Sequence, residues 1–386
     1  MPGVSFSDNG GMTSASHSSD SAEPFEGLRI RGVAKTFGTD TTVLNEIDLD
    51  VHPGELISLV GSSGTGKSTL LRIIAGLEEP SAGRVTYAGQ PLERGSVGVV
   101  FQRPILYPHL SVKDNILFPT RLGAFAGRVD MDYYRELLEA LKLEGLESRK
   151  PSQLSGGQAQ RVGIARALIR RAPVVLFDEP LASVDEEMSA SIRADIVRLH
   201  ERYGFTGLYV THDQNEALML GQRVAVMDAG YLVQVDTPER LLAHPHTLQV
   251  AKLLAAPALN LLALEDSEFL PTGCELAIRA TALCPVAAEA AHSLPVQVLG
   301  SRHLVGGMLY RARLLEAVSL PLESGRASAG TELSARMYAR VRAGQELEFF
   351  IPDAQGGTSL SVGDRVHLGV AAERCFVFSE GKRFYL

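Results

Sequence analysis

The sequence has no run of about 18 apolar residues, the length a helix needs to cross a bilayer. Its best candidate, Leu253 to Leu264, is short and interrupted by Pro257 and Asn260. The N-terminal stretch holds no apolar core of the signal-peptide kind. If the protein serves a membrane process, it is expected to do so from the cytosolic surface and through partners. Cysteine is scarce: Cys274, Cys284 and Cys375 are widely spaced, with no CxxC pair for zinc or thiol redox work. That usage fits a reduced, cytosolic compartment. Positive charge is in deficit, with a formal net charge of -8, so nucleic acid is not an expected partner. Long coiled-coil heptads are missing as well.

What remains is an ordinary globular composition, 45% hydrophobic and 21% charged over 386 residues, a length suited to two or three domains. Residues 1–26 are rich in Ser, Gly and acids and poor in large apolar side chains, and read as a disordered tail. Alternating patterns follow at Leu28–Val33 and Ile47–Val51, then an apolar strand at Leu56–Val60. Helical spacing covers Thr69–Ala75, Met131–Leu143, Ala159–Arg171, Glu186–Arg202 and Gln214–Leu220. Strands are expected between them at Val174–Phe177, Gly207–Val210 and Val224–Met227. Strand alternating with helix predicts an α/β domain over 27–256, built on a mostly parallel sheet, with a helical subdomain at about 103–170. From 257 to 386 short runs broken by Gly and Pro predict an all-β domain. An internal similarity lies within it: Leu276-Ala-Ile-Arg-Ala-Thr-Ala-Leu-Cys284 parallels Leu368-Gly-Val-Ala-Ala-Glu-Arg-Cys375, apart from one residue of spacing. Two related, intertwined β units are the expectation.

Five short motifs carry chemistry. The first is Gly61-Ser62-Ser63-Gly64-Thr65-Gly66-Lys67-Ser68, which follows a strand and opens a helix at Thr69. That context marks a phosphate loop: glycines let backbone N–H groups face phosphate oxygens, and the helix start adds positive potential. Lys67 is placed for the β- and γ-phosphates of a nucleotide, and the Ser68 hydroxyl for Mg²⁺. Downstream, Val174-Val-Leu-Phe-Asp178-Glu179 ends an apolar strand in two acids. Asp178 is expected to hold Mg²⁺ through a water, and Glu179 to polarise an attacking water. Two acids after a strand are often only a solvated loop; behind a phosphate loop that reading loses ground.

Leu154-Ser155-Gly156-Gly157-Gln158 opens a second helix whose start favours an anion. Two phosphate-binding helix starts therefore accompany one Lys-bearing loop. In this order, with Gln102 in Val-Val-Phe-Gln and His212 in Val-Thr-His-Asp, the motifs resemble those of the ATP-binding subunits of ABC transporters. The resemblance implies a P-loop NTPase cassette working as a dimer, in which Ser155, Gly156, Gly157 and Gln158 of one copy close on the γ-phosphate held by the other. It implies that Gln102 is the Q-loop glutamine, sensing Mg²⁺ and the attacking water, and that His212 is the switch histidine. Asp185, in Leu-Ala-Ser-Val-Asp, matches the D-loop acid that crosses the dimer. Phe37 sits where the family places an aromatic against adenine. A lone Gln, His or Phe is usually structural, and only the ordered context gives these their roles.

Leu106-Tyr-Pro-His-Leu-Ser-Val112, Arg149-Lys-Pro151, Gln222-Arg-Val-Ala-Val-Met-Asp-Ala-Gly230 and Gln234-Val-Asp-Thr-Pro238 narrow the resemblance to bacterial importers. Pro257-Ala-Leu-Asn260 is similar to the linker before the OB-like (TOBE) domain of maltose-type sugar importers. This implies an ATPase driving carbohydrate import at the cytoplasmic face of the inner membrane. The implied partners are a second copy or a similar ATPase subunit, two membrane permease subunits and, indirectly, an external solute-binding protein. Polyamine, oxyanion or iron import is the alternative cargo reading; a soluble ABC ATPase acting on nucleic acid or ribosomes is the alternative class. The chain departs from the pattern at Ala159 and Gly163, and its C-terminal strings Arg279-Ala-Thr281 and Ala371-Ala-Glu373 lack the family's proline.

Overall fold

The protein is described by a computed structural model covering residues 25–121, 129–265, 270–290, 292–322, 337–353 and 359–384. Nearly all of the expected disordered tail, residues 1–24, lies outside the described residues. The chain begins with β1 (Leu28–Phe37), β2 (Thr41–Val51) and β3 (Leu56–Val60), then α1 (Lys67–Ile74), β4 (Ala82–Tyr87), β5 (Gln90–Pro91) and β6 (Gly98–Val100). Helices α2 (Val112–Leu117), α3 (Met131–Ala140) and α4 (Gly156–Leu168) come next. The alternation β7 (Val174–Asp178), α5 (Glu186–Tyr203), β8 (Thr206–Thr211), α6 (Gln214–Leu220), β9 (Arg223–Asp228) and β10 (Tyr231–Asp236) leads to the short helices α7 (Pro238–Ala243) and α8 (Leu248–Leu253).

Two sheets organise this region. An antiparallel one has the order β2-β1-β4-β5, and a six-stranded one the order β10-β9-β3-β8-β7-β6. In the second, β9, β3, β8, β7 and β6 run parallel. All five residues of β3 are buried, as expected of a central parallel strand covered on both faces. Helix α1 contributes Leu70, Leu71, Ile73 and Ile74 to a core shared by the two sheets. The other face of the large sheet, through Val175, Phe177 and Tyr209, packs with α2 to α5. Helix α4 starts three residues before the expected Ala159 because Ser155 caps it. Its mate α5 begins on Asp185 and stops at Gly204, which takes a left-handed φ of 58°.

The remaining strands are β11 (Leu259–Ala263), β12 (Glu275–Arg279), β13 (Cys284–Val286), β14 (Leu294–Leu304), β15 (Gly307–Leu314), β16 (Val318–Leu322), β17 (Met337–Val341), β18 (Glu346–Pro352), β19 (Arg365–Gly369), β20 (Cys375–Ser379) and β21 (Lys382–Arg383). The two similar sequence strings are topological counterparts. Each is strand, 3₁₀ turn, strand: β12, Ala280–Ala282, β13 in one, and β19, Ala372–Arg374, β20 in the other. They exchange partners, β12 pairing with β20 and β13 with β19.

This β region is joined to α7 and α8. Leu248 and Ala251 are buried with Ala277, Phe376 and Phe378, and the Leu248 amide donates to Gly381 O at 2.8 Å. Arg279 donates Nη1 to Leu242 O (2.7 Å) and Arg383 donates Nη1 to Ala243 O (3.1 Å), two cations at the C-terminal carbonyls of α7. Both guanidinium groups lie over the Phe376 ring, at 5.3 and 4.8 Å from its centroid. Burial, with Arg374 and Arg383 nearby, pushes the Arg279 pKa down to about 10.

Candidate functional site

The register of the parallel strands builds the site. Val60 lies beside Thr211, Val210 beside Asp178, and Phe177 beside Val100. The C-terminal ends of β3, β8, β7 and β6 therefore share one edge, the usual ligand edge of such sheets. From that edge emerge the phosphate loop, His212, the Asp178–Glu179 pair and, two residues past Val100, Gln102.

In the phosphate loop Gly64 and Gly66 adopt φ of 82° and 98°, conformations that other residues seldom take. A Cβ on Gly66 would also stand 2.6 Å from Leu44 Cδ2 and 2.9 Å from Val43 O. Lys67 is the first residue of α1 and is buried; its Nζ donates to Gly61 O (2.8 Å) and Ser62 O (2.9 Å). Burial depresses its pKa, partly offset by Glu179 and Asp178. An ammonium has three protons, so one remains for a third acceptor.

Ser68 Oγ donates to Asp178 Oδ1 at 3.3 Å. Burial raises the Asp178 pKa, as does Glu179, against the Ser68 hydrogen bond. A divalent cation favours the charged carboxylate that burial opposes. One hydroxyl and one carboxylate, beside a phosphate cradle, suit Mg²⁺, which takes one or two carboxylates together with substrate phosphates. Among the described residues no group of three or more His, Cys, Asp or Glu could hold a metal by itself. The Gln102 side chain is exposed and has no hydrogen bond to Ser68 or Asp178.

Glu179 has a left-handed φ of 44° and its amide donates to Val210 O at 2.9 Å. That turn brings Glu179 Oε2 within 2.9 Å of His212 Nδ1, across 33 positions of sequence. The strand behind His212 is braced by Glu216, which accepts from Thr211 Oγ1 (2.7 Å) and Tyr209 OH (3.3 Å). Glu216 has no motif signal of its own; only its position in the first turn of α6 placed it there.

Ser155 and Gln158 spend their side chains on each other's backbone: Ser155 Oγ accepts from the Gln158 amide (3.2 Å) and Gln158 Oε1 from the Ser155 amide (3.0 Å). The first-turn amides of Gly156 and Gly157 have no intrahelical acceptor, as at any helix start. Gly156 faces open space, whereas a Cβ on Gly157 would stand 2.6 Å from Met188 Cγ in α5. Asp185 caps α5, accepting from the Met188 amide at 3.0 Å. Among the described residues no hydrogen bond joins Ser155–Gln158 to the phosphate loop. Phe37, 43% exposed, carries Lys35 Nζ 4.9 Å from its ring centroid.

Residues 44–182 match the family model described as ABC transporter. The sn-glycerol-3-phosphate import ATP-binding protein UgpC 1 of Rhizobium johnstonii is 45% identical over 241 residues, 61% of this chain and 65% of that protein. UgpC of Yersinia enterocolitica is 45% identical over 243 residues, 61% and 67% of the two chains. The matches thus span about two thirds of these relatives' lengths. Among solved structures, cbiO1 from Clostridium perfringens, part of the ABC transporter complex cbiONQ, aligns with a TM-score of 0.51 at 27% identity, covering 57% of this chain and 92% of that one. The ordered motifs, the strand edge that collects them and these relatives agree: the chain belongs to the ATP-binding proteins of the ABC transporter family.

Proposed function

We propose that the protein is the ATP-hydrolysing subunit of an importer, with a carbohydrate-type solute such as the glycerol phosphate named for its relatives as cargo. The observation that carries this reading is the Glu179–His212 hydrogen bond of 2.9 Å beside the Ser68–Asp178 contact of 3.3 Å. The loop from Gly61 to Thr69 cradles the phosphates with its amides, and the third proton of Lys67 meets them. Ser68 and Asp178, together with Gln102, would hold Mg²⁺, which would supply positive charge against the phosphate oxygens. Glu179 takes the proton of the attacking water, and His212 fixes the carboxylate that does so. Phe37 covers the adenine.

The start of α4, which no hydrogen bond joins to the phosphate loop of its own chain, supports a dimer as the active form, in which Ser155, Gly156, Gly157, Gln158 and Asp185 complete the partner's site. Two permease subunits dock at the cleft of about 340 Å³ lined by Phe101, Ile105, Tyr107, Phe118 and Arg166, where Ile105 is 66% exposed. No described helix is long and apolar enough to cross a membrane, and the permease holds the ATPase at the cytoplasmic face. The region after Ala256 is a regulatory β domain that shares a small core with α8, and an external solute-binding protein delivers the cargo. Reconstitution with the permease and binding protein tests this reading. ATP-dependent uptake of a glycerol phosphate or a sugar, lost in Lys67→Ala, supports it. ATPase activity stimulated by ribosomes or DNA, with no uptake of any solute, refutes it.

A further inference from the structure

Gln160 lies on α4 two residues past the Ser155–Gln158 motif and is 1% exposed. Its Nε2 donates to Phe101 O at 3.2 Å, the carbonyl immediately before Gln102. Three residues on, Gly163 faces Pro104: a Cβ there would lie 3.5 Å from Pro104 Cβ. Three further on, Arg166 donates Nη1 to Ile105 O at 2.6 Å. Positions 160, 163 and 166 share one face of a helix. They meet residues 101, 104 and 105 in the same order, so the helix is laced along the loop.

We propose that Gln160 is a positioning residue: it ties the loop bearing Gln102 to the helix that starts at Ser155, so that the two reach nucleotide together. The proposal rests on the function argued above. Its physical basis is the state of the Gln160 amide, whose Oε1 is buried without a partner. A buried unsatisfied oxygen opposes folding, and an apolar side chain of similar volume would fill the same space without that cost. What glutamine adds at this position is the hydrogen bond to Phe101 O. Helix and loop thus move as one body, and Gln102 is delivered at a fixed offset from the start of α4.

The test compares the full-length protein with Gln160→Met, Gln102→Ala and the double variant. In Gln160→Met, kcat for ATP should fall about five-fold, the rate equivalent of one ordinary hydrogen bond. KM for ATP should stay within about two-fold, because the phosphate loop is untouched, and the melting temperature should hold or rise. In the Gln102→Ala background the same change should cost no further turnover, since Gln160 then has nothing to place. Unchanged kcat in Gln160→Met, or full additivity with Gln102→Ala, overturns the positioning role while leaving the ATPase reading intact. Loss of kcat together with a fall in melting temperature also overturns it, in favour of plain packing. A wild-type protein without ATPase activity overturns both readings.

Discussion

Glu179→Gln separates chemistry from binding in this site. The change is isosteric, keeps the side chain that accepts from His212 Nδ1, and leaves the Glu179 amide on Val210 O. The left-handed φ of 44° is met by the same backbone. Folding stability should therefore change by less than about 0.5 kcal/mol. The amide cannot take a proton from water. Loss of a positioned general base lowers rates by about 10²–10⁴, or roughly 2.7–5.5 kcal/mol of barrier. Nucleotide binding should survive and tighten, because Glu179 is one of the carboxylates whose charge faces Lys67 and the phosphates of ATP. Single-turnover phosphate release, equilibrium ATP binding and gel filtration with ATP and Mg²⁺ measure the three quantities. The expected result is a stable ATP-bound dimer with turnover at least a hundred-fold slow. Turnover within ten-fold of wild type would remove Glu179 as the base.

Lys67→Ala should weaken ATP binding and Ser155→Arg should abolish hydrolysis while sparing it; a mixture should exceed either alone in ATPase activity, and a mixture that never does refutes the shared site. Gly163→Ala should stabilise α4 by about 1 kcal/mol, raising the melting temperature by about 2–4 °C, because the new methyl meets only Pro104 Cβ at 3.5 Å; a lower melting temperature means the loop cannot accept it. Burial alone would raise the Glu55 pKa, but hydrogen bonds from Arg223 and the His52 amide leave it below its usual value. Its contribution is therefore present above about pH 4.5 and lost as pH falls through the folded pKa. Arg223→Met should cost about 1.5–3 kcal/mol at pH 7 and less at pH 4 in urea unfolding, and an equal cost at both pH values refutes the assignment. A chain ending at Ala256 should still bind ATP but lose solubility, since Leu248 and Ala251 give up Phe376 and Phe378; adding Leu248→Lys should restore it, and failure to bind ATP in a soluble form would place the domain boundary elsewhere.

Much of this protein is local and could be read residue by residue. The phosphate loop is legible because its glycines answer a backbone requirement at Gly64 and Gly66, set within a few residues. The same holds for β3, apolar throughout because both faces are covered; the caps Ser155 and Asp185, by contrast, emerged only with the structure. The paired acids after β7 are visible too, though not which partner each has. Tertiary structure alone decided the rest. The strand order β3-β8-β7-β6 brings His212 to Glu179 and Asp178 to Ser68, contacts 33 and 110 residues apart in sequence. The lacing of α4 to residues 101–105, the fit of Gly157 against Met188, and the exchange of β12 and β20 likewise depend on which surfaces meet. A motif records what one segment's backbone demands; the partner across the fold is chosen by packing between segments, which no single segment encodes.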